Sequence, residues 1–503
     1  MADIIGTVVA DIDTPNFETF RFKAKPDIYV PQSAFVAVEI GKDKLLVGRV
    51  SASKDENPHA KPSTIAVRDA MNMKPDYPLE GDSINIYRVY EVDILNEVDI
   101  ESNGEYTIKP HSGLVRADSI VVIPTKTLLL KTMGICENES EGFNLGKLDI
   151  PLLDEGSINV IIKKESIQRH VFIAGTTGSG KSYSAKVLAE EIHKKGLPII
   201  FFDTQNEFIP LTNGLGGRVL RPAEDYTIRL SSLTLDEILD IAPLNYPLHE
   251  EVVANALSTL RQTKPNFSTE ELIAVIPNIV QQGGASNADK TSGLITSRLK
   301  YYLNQSRYIG SGFDWADALQ KDSIIDINCR GFERRDLQAI LAATLRELKN
   351  LRQNISILPF VIFIDEAHLF SPEGEESSCK QVVREYVRAG RHDGICTVLI
   401  TQSPVDIDRR IVKQCNTRLI FSLEPDQLIA IQGVKADASQ NMIDNLPKAK
   451  QGTCILSGTY ETVKHAIPVA IRSMNTPNAD AGASPDIFTE VNNSKTKEVK
   501  KND

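Results

Sequence analysis

The sequence predicts an α/β fold in which helices cover a parallel β-sheet, with a separate strand-rich domain before it. After about residue 155, short apolar runs alternate with segments of helical periodicity, which is typical of a sheet buried on both faces. Before that point, short strand-like runs are separated by turn residues, and helical periodicity is nearly absent. A glycine-rich segment between a strand and a helix marks the start of the α/β part.

The composition is that of a globular protein. The 503 residues correspond to about three structural units at roughly 150 residues each. An apolar content of 41% and a charged content of 24% exclude a wholly disordered or collagen-like chain. The sequence contains no run of about 18 apolar residues, so no transmembrane helix is predicted. The first residues do not resemble a secretory signal, and the six cysteines form no CxxC pair, so we expect reduced thiols in a cytoplasmic protein.

The net charge is acidic. With 56 basic and 67 acidic residues, the formal charge is −11. Such a chain is a poor candidate for binding nucleic acid over its whole surface, although a local basic channel stays open as an alternative.

The N-terminal domain is expected to span residues 1–150 and to form a small β-barrel or sandwich. Residues 34–40 and 45–50 are β-rich runs around a short turn containing Gly41, which predicts a hairpin. Further strand-like runs cover residues 84–92 and 119–123.

The α/β core is expected to span residues 151–474. Strands are predicted at 171–174, 197–202, 323–328, 360–364, 397–400 and 417–422, with helices at 181–195 and 335–351. Residues 233–305 interrupt this alternation with apolar residues at helical spacing. Two capping boxes, Thr234-x-x-Glu237 and Ser268-x-x-Glu271, indicate helix starts there, so we expect an inserted helical subdomain. Residues 475–503 are polar and are expected to form a C-terminal tail that is flexible at least in part.

The strongest chemical signal is Gly175-Thr-Thr-Gly-Ser-Gly-Lys-Ser182, which matches the P-loop pattern G-x-x-x-x-G-K-[ST]. Glycines let backbone amides surround phosphate oxygens, and the following helix points its positive end at the same anion. Lys181 is expected to reach the β- and γ-phosphates of ATP, and Ser182 to hold Mg²⁺. The residues expected to contact the nucleotide are Gly175, Thr176, Thr177, Gly178, Ser179, Gly180, Lys181, Ser182 and Tyr183.

Acidic and polar residues follow two other predicted strands. Asp365 and Glu366 end the run 360–364; Asp365 is expected to bind Mg²⁺ and Glu366 to activate the attacking water. Gln402, after the run 397–400, is interpreted as a γ-phosphate sensor, the alternative being an amide that caps the strand end. Asp203 and Glu207 follow the run 197–202, where they would either join the metal or water site or only start a turn.

Together these residues resemble the HerA/FtsK group of RecA-like ATPases, and HerA more closely, over most of the chain. The N-terminal region resembles the HAS barrel of HerA-type proteins. Gln168-Arg169-His170 resembles the family's Arg-His before its nucleotide loop, and Ile364-Asp365-Glu366-Ala367-His368 matches its second acidic motif. Arg388-Ala-Gly-Arg391-His-Asp-Gly394 resembles the arginine segment before the sensor strand. One departure is Asp203-Thr-Gln-Asn-Glu207-Phe, where the family often has Asp-Pro-His-Gly-Glu-Tyr.

The resemblance implies a homohexameric ring with ATP between subunits and double-stranded DNA in the pore. It also implies a partner nuclease or a sirtuin-type effector, in DNA-end processing or antiviral defence. From the absence of a long apolar run, no membrane partner is expected. An arginine supplied by a neighbouring subunit stabilises charge on the transferred phosphoryl group, and Arg391 is the first candidate and Arg169 the second. For each, the alternative is a surface salt bridge or a strand-edge charge. Lys380, Arg384 and residues 409–413 are basic, and they are either DNA contacts or solvated helix faces.

Three functions remain open from the residues. The first is an ATP-driven DNA translocase or helicase, and the second is a hexameric ATPase that remodels protein. The third is a ring that acts as a scaffold and recruits an effector through the N-terminal barrel, or its edge strands, with ATP as a switch. The alternative for that barrel is that it only braces the ring. Stimulation of ATP hydrolysis by DNA distinguishes the first function from the second, and fast turnover by the isolated ring counts against the third.

Overall fold

The computed structural model describes residues 3–10, 15–25, 28–56, 87–111, 113–150, 157–283, 287–432, 438, 440–458 and 462–477. The chain divides into two compact units. One contains residues 1–164 and 435–471, and the other contains residues 165–434 and 472–503. Within the described ranges, no helix is both long and apolar enough to cross a bilayer.

The N-terminal part of the first unit is built almost wholly of strands. In chain order they are β1 (Ile4–Val9), β2 (Thr19–Ala24), β3 (Phe35–Gly41), β4 (Lys44–Glu56), β5 (Tyr87–Ile100), β6 (Tyr106–Lys109), β7 (Ile120–Val122), β8 (Gly142–Leu148) and β9 (Asn159–Lys163), with helix α1 (Lys126–Met133) between β7 and β8. The predicted hairpin is confirmed as β3 and β4, which pair antiparallel. Residues 84–86 of the predicted run 84–92 lie outside the described residues.

The strand pairing in this part closes on itself, because the first strand of the order also pairs with a strand near its other end. The hydrogen-bonded order is β2-β1-β7-β3-β4-β5-β6, and β2 also pairs with β5. Alternate side chains of these strands therefore face one shared interior, where Phe20, Phe22, Tyr90 and Val92 are buried. The Tyr90 hydroxyl accepts a hydrogen bond from the backbone N–H of Val30 at 3.0 Å, so the largest polar group of this core is satisfied. Correspondence with the HAS barrel stays a prediction.

The second unit contains the predicted α/β core. Its strands are β10 (Val171–Ala174), β11 (Ile199–Asp203), β12 (Arg218–Leu220), β13 (Ile228–Arg229), β14 (Ile309–Gly310), β15 (Ile324–Asn328), β16 (Phe360–Ile364), β17 (Ile395–Thr401) and β18 (Thr417–Ile420). Its helices are α2 (Lys181–His193), α3 (Ile209–Gly214), α4 (Leu235–Ile241), α5 (Pro247–Thr263), α6 (Thr269–Gln282), α7 (Ala288–Gln305), α8 (Trp315–Ala318), α9 (Arg334–Gln353), α10 (Ser378–Ala389), α11 (Arg409–Gln414) and α12 (Leu428–Gln432).

The main sheet of this unit is parallel, as predicted. Its strand order is β12-β15-β11-β16-β17-β10-β18, and each neighbouring pair for which a register is defined runs parallel. All residues of β10, β11, β15, β16 and β18 are buried, because helices cover both faces. The carboxyl ends of β10, β11, β16 and β17 therefore meet at one edge of the sheet.

The inserted helices are also present. Helices α4 to α7 occupy most of residues 233–305, of which 284–286 lie outside the described residues. Both predicted capping boxes form: the hydroxyls of Thr234 and Ser268 accept backbone N–H groups of Glu237 and Glu271, whose carboxylates accept in return. These caps satisfy amide groups that the first turn of a helix leaves without partners.

The later part of the chain differs from the predicted domain boundary. Helix α13 (Gln440–Asp444) and strands β19 (Thr453–Gly458) and β20 (Ile467–Ile471) belong to the first unit, although we expected residues 151–474 to form one core. The reason is strand pairing: β20 runs antiparallel to β8, with Val469 opposite Leu148. Pairing between strands so far apart in sequence leaves no local signal. Residues 478–503 of the predicted tail lie outside the described residues.

Candidate nucleotide-binding site

The P-loop connects the carboxyl end of β10 to the N-terminus of α2. Gly178 and Gly180 have φ of 78° and 110°, a region that side-chain-bearing residues rarely adopt. At Gly175 an added Cβ would lie 2.5 Å from the Ser179 hydroxyl and 2.6 Å from the Phe421 side chain. Glycine is therefore required at Gly175 by close packing and at the other two positions by backbone conformation.

Lys181 and Ser182 begin helix α2 at the mouth of this loop. Lys181 is only 8% exposed, yet no described residue forms a hydrogen bond or ion pair with its ammonium group. The carboxylates of Asp365 and Glu207 lie near enough for its charge to lower the pKa of each. A buried, unpaired ammonium group among carboxylates is suited to a polyanionic ligand, because burial of a charge is costly without a partner. The Ser182 hydroxyl likewise has no hydrogen bond to a described residue.

Asp365 follows β16 and is buried at the same edge. The Thr204 hydroxyl donates a hydrogen bond to Asp365 Oδ2 at 2.9 Å. Burial raises the pKa of Asp365 to about 8, and the neighbouring carboxylates Glu366 and Asp203 add to the rise. A cation would favour the ionised form, so Asp365 is suited to hold a divalent metal. We did not predict that Thr204 joins this site, because Thr204 and Asp365 follow different strands and lie 161 positions apart in the sequence.

Glu366 has an unusual backbone conformation. Its φ is 47° and its ψ is 48°, in the left-handed region, and its side chain is nearly buried. Among the described residues, none donates a hydrogen bond to Glu366 Oε2, although His368 Nδ1 lies 3.3 Å away. A carboxylate held in this way, free of strong partners, is suited to accept a proton from water.

Gln402 lies beside the P-loop. The Thr177 hydroxyl donates to Gln402 Oε1 at 3.0 Å, and the backbone N–H of Gly175 donates to the carbonyl of Thr401 at 3.3 Å. Strand β17 lies between β10 and β16, so Gln402 stands between the P-loop and the acidic pair. This position is compatible with a residue that contacts the terminal phosphate.

The Asp203 carboxylate stabilises the turn after β11. Its carboxylate accepts backbone N–H groups of Gln205, Glu207 and Phe208 at 2.9 to 3.2 Å. Burial nevertheless raises its pKa. Of the two alternatives from the sequence, the arrangement supports the turn for Asp203. Glu207 lies 4.0 Å from Lys186, and burial raises its pKa as well.

The two candidate arginines lie at the opposite edge of the sheet. Arg391 precedes β17 and Arg169 precedes β10, whereas the P-loop and Gln402 follow these strands. The seven residues of β17 span about 20 Å, so neither arginine reaches the P-loop of its own chain. Arg391 is exposed and its side chain forms no hydrogen bond or ion pair with the described residues, whereas Arg169 is half-buried and engaged within the chain. Arg391 is therefore the candidate arginine whose side chain is available for contacts outside its own chain.

Tyr183, which we expected to contact the nucleotide, is hydrogen-bonded to the segment that follows β20. Its hydroxyl accepts the backbone N–H of Met474 at 2.9 Å. Two residues of the predicted tail, Asn475 and Thr476, donate backbone N–H groups to Glu190 of the same helix, and Arg472 pairs with Glu190 at 3.0 Å. This segment is therefore ordered against α2, which polar composition alone did not indicate.

Two basic residues considered as DNA contacts have structural roles. Lys380 is buried and lies 3.1 Å from Asp408, and its ammonium group donates to the Pro372 and Glu375 carbonyls at 2.7 Å. Arg384 pairs with Glu376 and Asp408. Lys380 is therefore not the solvated helix face that was one alternative from the sequence, and the charges of both residues are paired within the chain. Arg409, Arg410 and Lys413 of α11 are exposed.

His170 connects the start of β10 to the start of β17. It is 2% exposed, and its Nδ1 accepts the backbone N–H of Thr397 at 3.1 Å. Burial lowers the pKa of His170 to about 4, and the charge of Arg391 acts in the same direction, while the Val387 carbonyl opposes it. The ring is therefore neutral in the folded protein at neutral pH.

We expect His170 to make folding stability depend on pH. The unfolded chain takes up a proton near pH 6.5 and the folded chain only near pH 4, so stability is lost as the pH falls through this window. The His170→Gln variant keeps a hydrogen-bond acceptor that does not titrate. Between pH 7 and pH 5, wild type should lose about 2 kcal/mol more unfolding free energy than this variant.

Chemical denaturation at the two pH values measures this difference. The matched control is His249→Gln, on helix α5, which should keep the pH dependence of wild type. Identical pH dependence in wild type and His170→Gln would show that His170 is not the titrating group.

Comparison with known proteins identifies relatives. Residues 144–348 match the model of the family described as the central domain of the helicase HerA. The DNA double-strand break repair helicase HerA of Sulfolobus acidocaldarius is 23% identical over 388 residues, covering 72% of this chain and 76% of that protein. The protein of the same name from Pyrococcus furiosus is 20% identical and covers 94% of this chain and 93% of its own length. VirB4 of Thermoanaerobacter pseudethanolicus shares the fold, with a TM-score of 0.52 and 18% identity, over 67% of this chain and 98% of that chain.

Proposed function

Since this chain is a HerA-type ATPase, we propose that it is a ring-forming motor that uses ATP hydrolysis to move along double-stranded DNA. The observation that supports this most directly is the meeting of Lys181, Asp365, Glu366 and Gln402 at one sheet edge, while Arg391 is exposed at the other. The similarity to proteins named DNA repair helicases supports DNA as the substrate.

Each residue at the nucleotide edge has a role in this proposal. The P-loop amides and Lys181 bind the phosphates of ATP. Ser182 and Asp365 offer a hydroxyl and a carboxylate, the hard oxygen ligands that suit Mg²⁺. Mg²⁺, when bound, neutralises phosphate charge as it develops in the reaction. Glu366 accepts a proton from the attacking water, and Gln402 contacts the terminal phosphate.

We place Arg391 at the nucleotide of a neighbouring subunit, in a homohexameric ring. The distance across the sheet supports this placement, because Arg391 cannot reach its own P-loop and its side chain is free to contact another. An arginine supplied in this way stabilises charge on the transferred phosphoryl group only after assembly, so hydrolysis depends on the ring.

The Arg391→Ala variant should keep ATP binding and ring formation but lose turnover by about 10³-fold or more, the typical contribution of such an arginine. Steady-state hydrolysis and mass measurement of the assembly, at equal protein concentration, test this. Arg307→Ala removes another exposed arginine, on the loop after α7, and should leave turnover unchanged. Normal hydrolysis by the Arg391 variant would remove the assignment.

The test of the motor is the response of hydrolysis to DNA. A motor that contacts phosphates should hydrolyse ATP faster with linear duplex DNA, and the stimulation should weaken as salt rises. Short and long duplexes at equal nucleotide concentration distinguish movement from simple binding, because the distance available for movement depends on length. Hydrolysis that is fast but indifferent to every DNA would favour a protein-remodelling ATPase.

We further propose that the N-terminal domain corresponds to the HAS barrel and docks an effector, such as a nuclease or a sirtuin-type enzyme, in DNA-end processing or antiviral defence. Exposed aromatic residues support a docking role: Phe17 is 64% exposed and Tyr29 is 66% exposed. Mass-spectrometric identification of proteins that co-purify with wild type but not with a Phe17→Ser, Tyr29→Ser variant tests this. A ring that binds an effector but hydrolyses ATP only slowly would favour the scaffold.

A further inference from the structure

His368 lies two positions after Glu366, in the short 3-10 helix that Glu366 caps. His368 Nδ1 lies 3.3 Å from Glu366 Oε2 and 3.0 Å from the hydroxyl of Thr401. All three side chains are at least half-buried, and Thr401 is fully buried. One ring nitrogen thus faces two oxygens, one on Glu366 after the end of β16 and one on Thr401 at the end of β17.

The chemistry of these groups decides where the proton of the ring lies. An ionised carboxylate only accepts hydrogen bonds, so the contact with Glu366 is favourable only if Nδ1 carries a hydrogen. A single N–H then has two competing acceptors, Glu366 Oε2 and Thr401 Oγ1. The second is nearer, and it also accepts the backbone N–H of Ser403 at 3.1 Å.

Thr401 in turn is linked to the P-loop. Its carbonyl accepts the N–H of Gly175 at 3.3 Å, and the next residue, Gln402, bonds to Thr177 at 3.0 Å. Any shift of the P-loop or of Gln402 when the terminal phosphate arrives or leaves therefore acts on Thr401. Through the shared N–H, such a shift changes how firmly Glu366 is held.

We propose that His368 is a positioning residue whose Nδ1–H is shared between Glu366 and Thr401, so that the strand contacting the terminal phosphate controls the orientation of the water-activating carboxylate. While the N–H bonds Thr401, the ring is anchored beside Glu366 and directs its carboxylate toward the water. When Thr401 shifts away, the ring loses this anchor and the carboxylate loses its orientation. This deepens the proposed function and rests on the proposed role of Glu366.

Four variants test the proposal in the full-length protein, without DNA. His368→Ala removes the N–H, and His368→Asn keeps an N–H donor at the same distance along the side chain. Thr401→Val removes the competing acceptor while conserving shape, and Thr401→Ser restores the hydroxyl. We expect kcat to fall about tenfold in His368→Ala and in Thr401→Val, the effect of one hydrogen bond, with KM for ATP unchanged.

The double variant is the decisive measurement. If the two side chains act through one hydrogen bond, His368→Ala combined with Thr401→Val should have the kcat of His368→Ala alone. His368→Asn and Thr401→Ser should recover most of the activity, which a merely structural role does not predict. The control His249→Ala should behave as wild type. Melting temperatures identify any variant that fails to fold; if Thr401→Val does, the comparison of His368→Ala with His368→Asn still decides.

Additive losses in the double variant, a parallel rise in KM, or equal activity of His368→Ala and His368→Asn would overturn the proposal. Glu366→Gln, measured in parallel, separates this from failure of the proposed function. If Glu366→Gln hydrolyses ATP normally, the role of Glu366 itself is wrong. If it stalls while both His368 variants match wild type, only the role of His368 is wrong.

Discussion

The Lys181→Ala variant is expected to lose both ATP binding and hydrolysis. Lys181 is buried, faces the carboxylates of the site and has no hydrogen-bond partner among the described residues, so the phosphates are its natural counter-ion. Losing one charge-assisted contact should weaken ATP binding by about tenfold to a hundredfold. Turnover should fall further, by about 10² to 10³, because the ammonium group also stabilises charge that develops in the transition state.

Equilibrium binding of a fluorescent ATP analogue and steady-state hydrolysis measure the two losses separately. Lys300→Ala, an exposed lysine of helix α7, is the matched control and should change neither. Removing Lys181 also removes a positive charge that lowers the pKa of Asp365. Without ATP, Asp365 should therefore be more fully protonated at neutral pH in the variant than in wild type. Retention of both ATP affinity and turnover would contradict the role of Lys181.

The Glu366→Gln variant is expected to bind ATP as wild type does and to stall before hydrolysis. Glutamine has the shape of glutamate but cannot accept the proton of the attacking water. Loss of a positioned general base typically costs about 10² to 10⁴ in rate. Because the site otherwise stays intact, we expect ATP to remain bound and the protein to be trapped in its ATP-bound state.

A filter-binding assay for retained ATP, together with single-turnover hydrolysis, tests this prediction. Glu251→Gln, an exposed glutamate of helix α5, should be indistinguishable from wild type. The variant also separates Glu366 from Asp365, whose loss should weaken metal-dependent ATP binding instead. Hydrolysis at the normal rate by Glu366→Gln would show that water is activated by another group.

The P-loop and the start of helix α2 were predictable from the sequence because their signals are local. Gly178 and Gly180 have the positive φ that the motif requires, and helix α2 begins at Lys181 as predicted. The capping boxes at Thr234 and Ser268 also formed, because each involves residues only three positions apart. A pattern confined to one turn or one strand end depends little on the rest of the chain.

Contacts between distant segments were not predictable in the same way. The hydroxyl of Thr204 reaches Asp365, 161 positions later, and Nδ1 of His170 accepts the N–H of Thr397, 227 positions later. Lys380 had the composition of a solvated helix face, yet it is buried beside Asp408. Such contacts depend on which strands and helices become neighbours, and strand order cannot be deduced from a single sequence.

The sequence by itself determined that this protein has a parallel sheet, a P-loop and an acidic pair at strand ends, because hydrophobic periodicity and glycine spacing restrict the local backbone. Only the tertiary structure decided that β17 lies between β10 and β16, which brings Gln402 to Thr177 and His368 to Thr401. It also decided that Arg391 lies at the opposite edge of the sheet from its own P-loop, before β17, whose seven residues span about 20 Å. The physical reason is that the packing of the whole core sets the strand order, so no single segment of the sequence determines it.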